Sequence, residues 1–202
     1  MTAKAPVEFY FDFSSPYSYI ASEWVAAVAA RHGRTVSWHA ILLGATFQAA
    51  ELKSPVSYPV KREYAMVDFQ RSARFEGVPY RQPEPFPIAT QNAARVFWWL
   101  ADQDAARAAV WAHTGLRAYF TRGVALDKPE PLRGLCREAG IDPDAAEAAW
   151  SDPAWKLRLK AENEAAIAAG IFGAPSFVVD GELFWGNDRR PQLERWLASG
   201  PF

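Results

Sequence analysis

The chain has 202 residues, half of them apolar and nine of them tryptophan, enough to bury roughly 70% of its unfolded surface without staples. Lys and Arg number 22 against 23 Asp and Glu, a net charge of −1 that excludes the basic footprint of a nucleic-acid or membrane-surface binder. A single cysteine, Cys136, excludes an internal disulfide, a CxxC redox pair and a cysteine-based zinc site.

Val7 to Phe13 is short, aromatic and interrupted by Glu8 and Asp12, and reads as a buried strand. Ser15 then stands at an N-cap position with Pro16 as the first helical residue, where its missing N–H costs nothing. Ile20, Trp24 and Val28 mark one face of the helix that follows, and Arg31, His32 and Gly33 stop it. Val36, Trp38 and Ala40 alternate in a second strand over Thr35 to Ile41.

The middle is helical. One helix is expected near Lys61 to Phe75, inside a stretch rich in proline and aromatics, and another from Thr90 to Ala106 that continues in style to Thr121. Pro131 to Ala139 and Asp142 to Trp150 read as two short helices, the second with Asp142-Pro143 as cap and first residue. Lys156 to Ala169 is a longer one, ended by Gly170. The last segment changes again. Ser176 to Val179 and Glu182 to Trp185 flank Asp180-Gly181, a strong hairpin signal, and Arg190 to Ala198 closes the chain as a helix.

The order βαβ, helical block, ββα is that of an α/β thioredoxin-like fold with a large all-helical domain inserted between its halves. Residues 1–44 and 154–202 form the expected thioredoxin-like domain and 45–153 the insert. Thioredoxin-like redox proteins carry Cys-Pro-x-Cys where this chain has Ser15-Pro16-Tyr17-Ser18. A hydroxyl cannot cycle through a disulfide, yet it remains a hydrogen-bond donor at a helix start. Such folds also place a cis-proline opposite that start, and Pro175 in FGAPSF is the candidate. No stretch of about 18 apolar residues and no cleavable leader is visible, so a cytoplasmic location is expected. His39 reads as a satisfied polar neighbour in its strand, His32 and His113 show no metal-ligand spacing, and no metal is expected.

The segments FYFDFSSPYSY, PVKREY, GIFGAPSF and FWGNDR together resemble the motifs of the kappa-class glutathione transferase family, in order along essentially the whole chain. The resemblance implies glutathione as cofactor, a small aromatic substrate and a homodimer. It implies that Ser15 is the catalytic residue, donating a hydrogen bond to the glutathione sulfur. The backbone of Ala174, beside Pro175, would pair with the cysteinyl part. Asn187 and Asp188 would hold the γ-glutamyl end, and Lys61 would be a further ligand. Tyr17 and Tyr64 are candidate substrate contacts. The activity implied is glutathione-dependent isomerisation of 2-hydroxychromene-2-carboxylate to trans-o-hydroxybenzylidenepyruvate, by reversible thiolate addition to an activated double bond. Two other readings stay open: a transferase that conjugates electrophiles, and a redox-inactive module that binds an extended peptide against Pro175. Taken singly, Ser15 is a plain helix cap, Asp188 a capping aspartate and Tyr64 a packing aromatic. The coincidence of the motifs is what argues for chemistry.

Overall fold

The computed structural model describes residues 4–202. In chain order the elements are β1 (Val7–Phe11), α1 (Pro16–Ser22), α2 (Val25–Arg31), β2 (Val36–Ala40), α3 (Leu43–Ala49), α4 (Pro59–Phe75) and α5 (Gln91–Ala101). Then come α6 (Ala105–Arg117), α7 (Pro129–Glu138), α8 (Pro143–Ser151), α9 (Pro153–Ala168), β3 (Ser176–Val179), β4 (Glu182–Trp185) and α10 (Arg190–Ser199). The four strands lie in the order β2-β1-β3-β4, with β1 and β2 parallel and the other pairs antiparallel. This is the expected thioredoxin-like arrangement, with helices α3 to α9 between its two strand pairs.

The sequence of β1 explains its central place. Val7, Phe9 and Phe11 share one face and are fully buried, while Glu8 and Tyr10 face the other way. Phe9 stacks on Phe177 of β3 at 5.3 Å between ring centres and meets Trp38 of β2 edge-on at 4.9 Å. Phe11 meets Phe97 of α5 edge-on, tying the helical block to the sheet. The opposite face is covered by α9, where Ala166 joins Ile41, Ile171 and Ala174. The hairpin forms at Asp180-Gly181 as expected. Both residues have positive φ (53° and 89°), the geometry of a primed two-residue turn. Arg34 grips Asp180 with both guanidinium nitrogens, at 2.9 and 2.6 Å.

Several expectations change. The helix after Ser15 is two helices, α1 and α2, although Ile20, Trp24 and Val28 are all buried as their spacing demands. The Ser22 hydroxyl donates to the Tyr19 carbonyl at 2.6 Å, competing with the helical ladder, and Trp24 turns away to bond with Asn187. The expected 90–106 helix ends at Ala101, because Asp104 caps a new one, accepting from Ala106 and Arg107 N–H. The π-helical stretch Ala118–Arg122 then extends α6. Helix α3 was not expected at all. Its first amide, Leu43 N–H, donates to the Asp12 carboxyl at 2.7 Å, a cap supplied from 31 residues away. In α6, Gly115 packs against Phe13: a Cβ there would lie 2.7 Å from the Phe13 ring, so only glycine lets the helix approach the turn that carries Ser15.

Candidate active site

The site forms where the end of β1 meets the start of β3. Ser15 is the N-cap of α1, with extended backbone (φ −95°, ψ 114°) and Pro16 at the first helical position. Its hydroxyl oxygen accepts from Ser18 N–H and its hydroxyl proton is donated to the Ala174 carbonyl, both at 3.1 Å. The Ala174–Pro175 peptide is cis, as expected. Two motifs 159 residues apart are therefore in direct contact. Ser15 is only 3% exposed, so the hydroxyl works in a largely dry setting. Helix α1 has seven residues, so its dipole is a minor aid and the aimed hydroxyl is the main device.

Asn187 and Asp188 lie in a 3-10 turn between β4 and α10. Asn187 is buried, and its side-chain carbonyl accepts from the Trp24 indole N–H at 2.8 Å. An indole N–H only donates, so this bond fixes the amide's orientation and turns its NH2 the other way. Asp188 is exposed and pairs with Arg189 at 2.9 Å. Its carboxylate crowds Gly186, whose φ of 109° and lack of Cβ make room for it. Both residues border an open cleft of about 560 Å³ whose far wall is the end of α4, with Arg71 and Ser72, and Glu76 just beyond it. Arg190 spans the cleft, paired with Glu76 and Glu194.

Tyr17 reaches across to α4, where its hydroxyl donates to Asp68 at 2.5 Å. Burial, the Asp68 bond and the nearby carboxylate charges of Asp68 and Asp188 raise its hydroxyl far above the usual phenol range, so it stays protonated. The structure places Lys61 in the first turn of α4, over the Tyr58 ring at 5.0 Å, and Tyr64 on an exposed face under Arg71. Neither lines the cleft. Among the described residues no cluster of His, Cys, Asp or Glu could hold a metal ion, and no helix is long and apolar enough to cross a membrane. Cys136 is buried in α7.

Sequence reading passed over Asp12. It is 4% exposed, and its carboxyl accepts from Ser14 N–H (2.6 Å), Leu43 N–H (2.7 Å) and the Thr90 hydroxyl (3.3 Å). Burial raises its pKa above the ordinary carboxylate value, against these hydrogen bonds, which lower it. The available signal was a charged residue inside an aromatic run immediately before the serines.

Residues 6–198 match the DSBA-like thioredoxin domain family. The chain belongs to that family. A 2-hydroxychromene-2-carboxylate isomerase of Pseudomonas putida is 34% identical, over 93% of this chain and 92% of the relative. Glutathione S-transferase kappa 2 of Caenorhabditis elegans is 28% identical over 100% of this chain and 95% of its own length. A solved 2-hydroxychromene-2-carboxylate isomerase superposes with a TM-score of 0.86 at 31% identity, covering 95% of this chain and 94% of that one. These relatives bear out the resemblance seen in the motifs and the expectation of an enzyme of the isomerase type.

Proposed function

We propose that this DSBA-like chain is a glutathione-dependent isomerase acting on 2-hydroxychromene-2-carboxylate or a close aromatic analogue. The observation that carries the reading is the Ser15 hydroxyl set against the Ala174 carbonyl at a cis-proline, with serine where a redox protein has cysteine. The residues present fit glutathione. Asp188 offers a carboxylate for its ammonium group, the oriented Asn187 amide offers N–H donors for its carboxylate, and the cleft has room for its γ-glutamyl end. Bound there, glutathione would supply a nucleophilic thiolate for reversible addition to the substrate's activated double bond.

The chain's own part is electrostatic. Ordinary thiols ionise near about 8.5, so thiolate is scarce at neutral pH. Ser15 turns its proton from the Ala174 carbonyl to the sulfur and favours the charged form. Ala174 and Pro175 present backbone to the cysteinyl part. Tyr17, its one proton committed to Asp68, would meet the substrate through its ring. Lys61 as a further glutathione ligand and Tyr64 as a substrate contact rest on the family resemblance alone, since neither lines the cleft. On this reading residues 45–153 act as a substrate-covering domain, and the protein is a cytoplasmic homodimer.

Incubating purified protein with 2-hydroxychromene-2-carboxylate, with and without glutathione, tests this by absorbance. Conversion that needs glutathione and leaves its concentration unchanged supports the isomerase. Absence of conversion overturns the assignment. The whole-length similarity to a kappa transferase favours one second reading, conjugation of electrophiles, which net loss of glutathione would reveal.

A further inference from the structure

Asp12 closes the loop between β1 and the serine turn, and its bonds reach three separate segments. One carboxyl oxygen takes Ser14 N–H and the Thr90 hydroxyl, and the other takes Leu43 N–H. Its backbone carbonyl also takes Ser15 N–H at 3.0 Å. Both amides of the Ser14–Ser15 step are thus pinned to one residue. The same side chain opens α3 and holds Thr90, the residue before α5. The Ser14 hydroxyl carries the link onward by accepting from Ile88 N–H at 3.1 Å, two residues after the Phe86 that packs on Phe69 of α4. All three partners of the carboxyl are donors. A carboxylate satisfies that pattern, whereas an amide must turn a donor toward one of them. Burial leaves no water to take over a lost bond.

We propose that Asp12 is a positioning residue that acts through Ser15, holding the serine turn in the orientation from which its hydroxyl reaches a bound sulfur and registering the helical block against that turn. The proposal rests on the role given to Ser15 above. A shift of about an ångström in a reacting group can cost on the order of 100-fold in rate, so a turn that relaxes slightly is enough.

The test compares Asp12→Asn, Ser15→Ala and the double variant in glutathione-dependent turnover, with glutathione binding followed by calorimetry and bound thiolate by its ultraviolet absorbance. Asp12→Asn lowers kcat by about 10- to 100-fold while the glutathione Kd stays within about threefold, because Asn187, Asp188 and the Ala174 backbone still hold the tripeptide and only the aim of the Ser15 hydroxyl changes. Thiolate absorbance falls toward that of Ser15→Ala. On the Ser15→Ala background the same substitution costs less than about twofold, since it acts through the missing hydroxyl. An equal loss in both backgrounds, or unchanged kcat and thiolate in Asp12→Asn, overturns the proposal. If Asp12→Asn does not fold, Thr90→Val removes one donor from the carboxyl at similar volume. It lowers kcat by a few-fold if the proposal holds, and unchanged kcat overturns it. Wild-type protein that neither binds nor uses glutathione sinks the isomerase reading instead. The positioning is then read from the Ser14 and Ser15 amide protons, whose exchange Thr90→Val speeds, and unchanged exchange overturns it.

Discussion

The indole N–H of Trp24 donates to the side-chain carbonyl of Asn187 at 2.8 Å, joining the break between α1 and α2 to the turn before α10. One bond accounts for two features: the interrupted helix and the fixed direction of the Asn187 amide. Trp24→Phe keeps an aromatic ring against Phe177 but removes the donor. We expect a stability loss of about 1–2 kcal/mol from the unsatisfied buried carbonyl, seen in thermal unfolding. We also expect glutathione binding weakened by about 3- to 10-fold by calorimetry, since the amide can then flip.

Ser15→Ala removes the proposed donor to sulfur. Loss of a single aimed donor in a dry site costs on the order of 100- to 1000-fold in kcat. Removal of the N-cap costs about 1 kcal/mol in stability, so the variant remains folded. Steady-state turnover beside a melting curve separates the two effects. A variant that melts normally and keeps full turnover removes Ser15 from the mechanism.

Asp188→Asn keeps shape and removes charge. Glutathione affinity should fall by roughly 10-fold at low salt and less at high salt, as expected for an exposed carboxylate facing an ammonium group. A glutathione analogue lacking the amino group should bind both proteins alike. Calorimetry at two ionic strengths checks this.

Gly115→Ala places a Cβ against the Phe13 ring, where 2.7 Å is too close for a real contact. Overpacking of this kind costs about 1–3 kcal/mol, read as a lowered denaturation midpoint. Because Phe13 lies two residues before Ser15, turnover should fall further than the folded fraction does.

Cys136 supplies a pH dependence. Burial pushes its thiol from the ordinary value up to about 11. Between pH 9.0 and about 11 the unfolded chain has lost this proton and the folded chain has kept it. The unfolded state then binds fewer protons, so the contribution is complete below pH 9.0 and stability declines as pH rises through that window. Denaturant titrations on either side of the window, with Cys136→Ala as the control that flattens the slope, test it. In native protein at neutral pH the thiol should resist alkylation.

Some local signals were legible from sequence, though the equally local caps at Asp104 and Asp152 were passed over. Ser15-Pro16, Asp142-Pro143 and Asp180-Gly181 set their caps and turn within a few residues, and each forms as read. What depends on distant partners was not. Helix α3 takes its cap from Asp12, and the α1–α2 break answers to Asn187 as well as to the nearby Ser22 hydroxyl. Helix α4 shows the same limit for the site. The sequence reads as a helical stretch there, but its nearly uniform polarity did not say which face meets the cleft. The structure turns Arg71, Ser72 and Glu76 that way, with Lys61 and Tyr64 on other faces.

The strand order has a consequence for how the protein is made. β1 is synthesised first and β2 soon after, but β3, its other neighbour, follows only after the whole helical block. Until Ser176–Val179 leaves the ribosome, one edge of the most aromatic strand has no native partner. An unpaired edge of that kind invites pairing with other chains. Phe97 packs on a face of β1 and Gly115 on Phe13 just beyond it, and neither covers that edge before β3 arrives. Premature termination anywhere in the block should yield aggregates rather than a shortened enzyme, because the Ser15 and Ala174 halves of the site meet last.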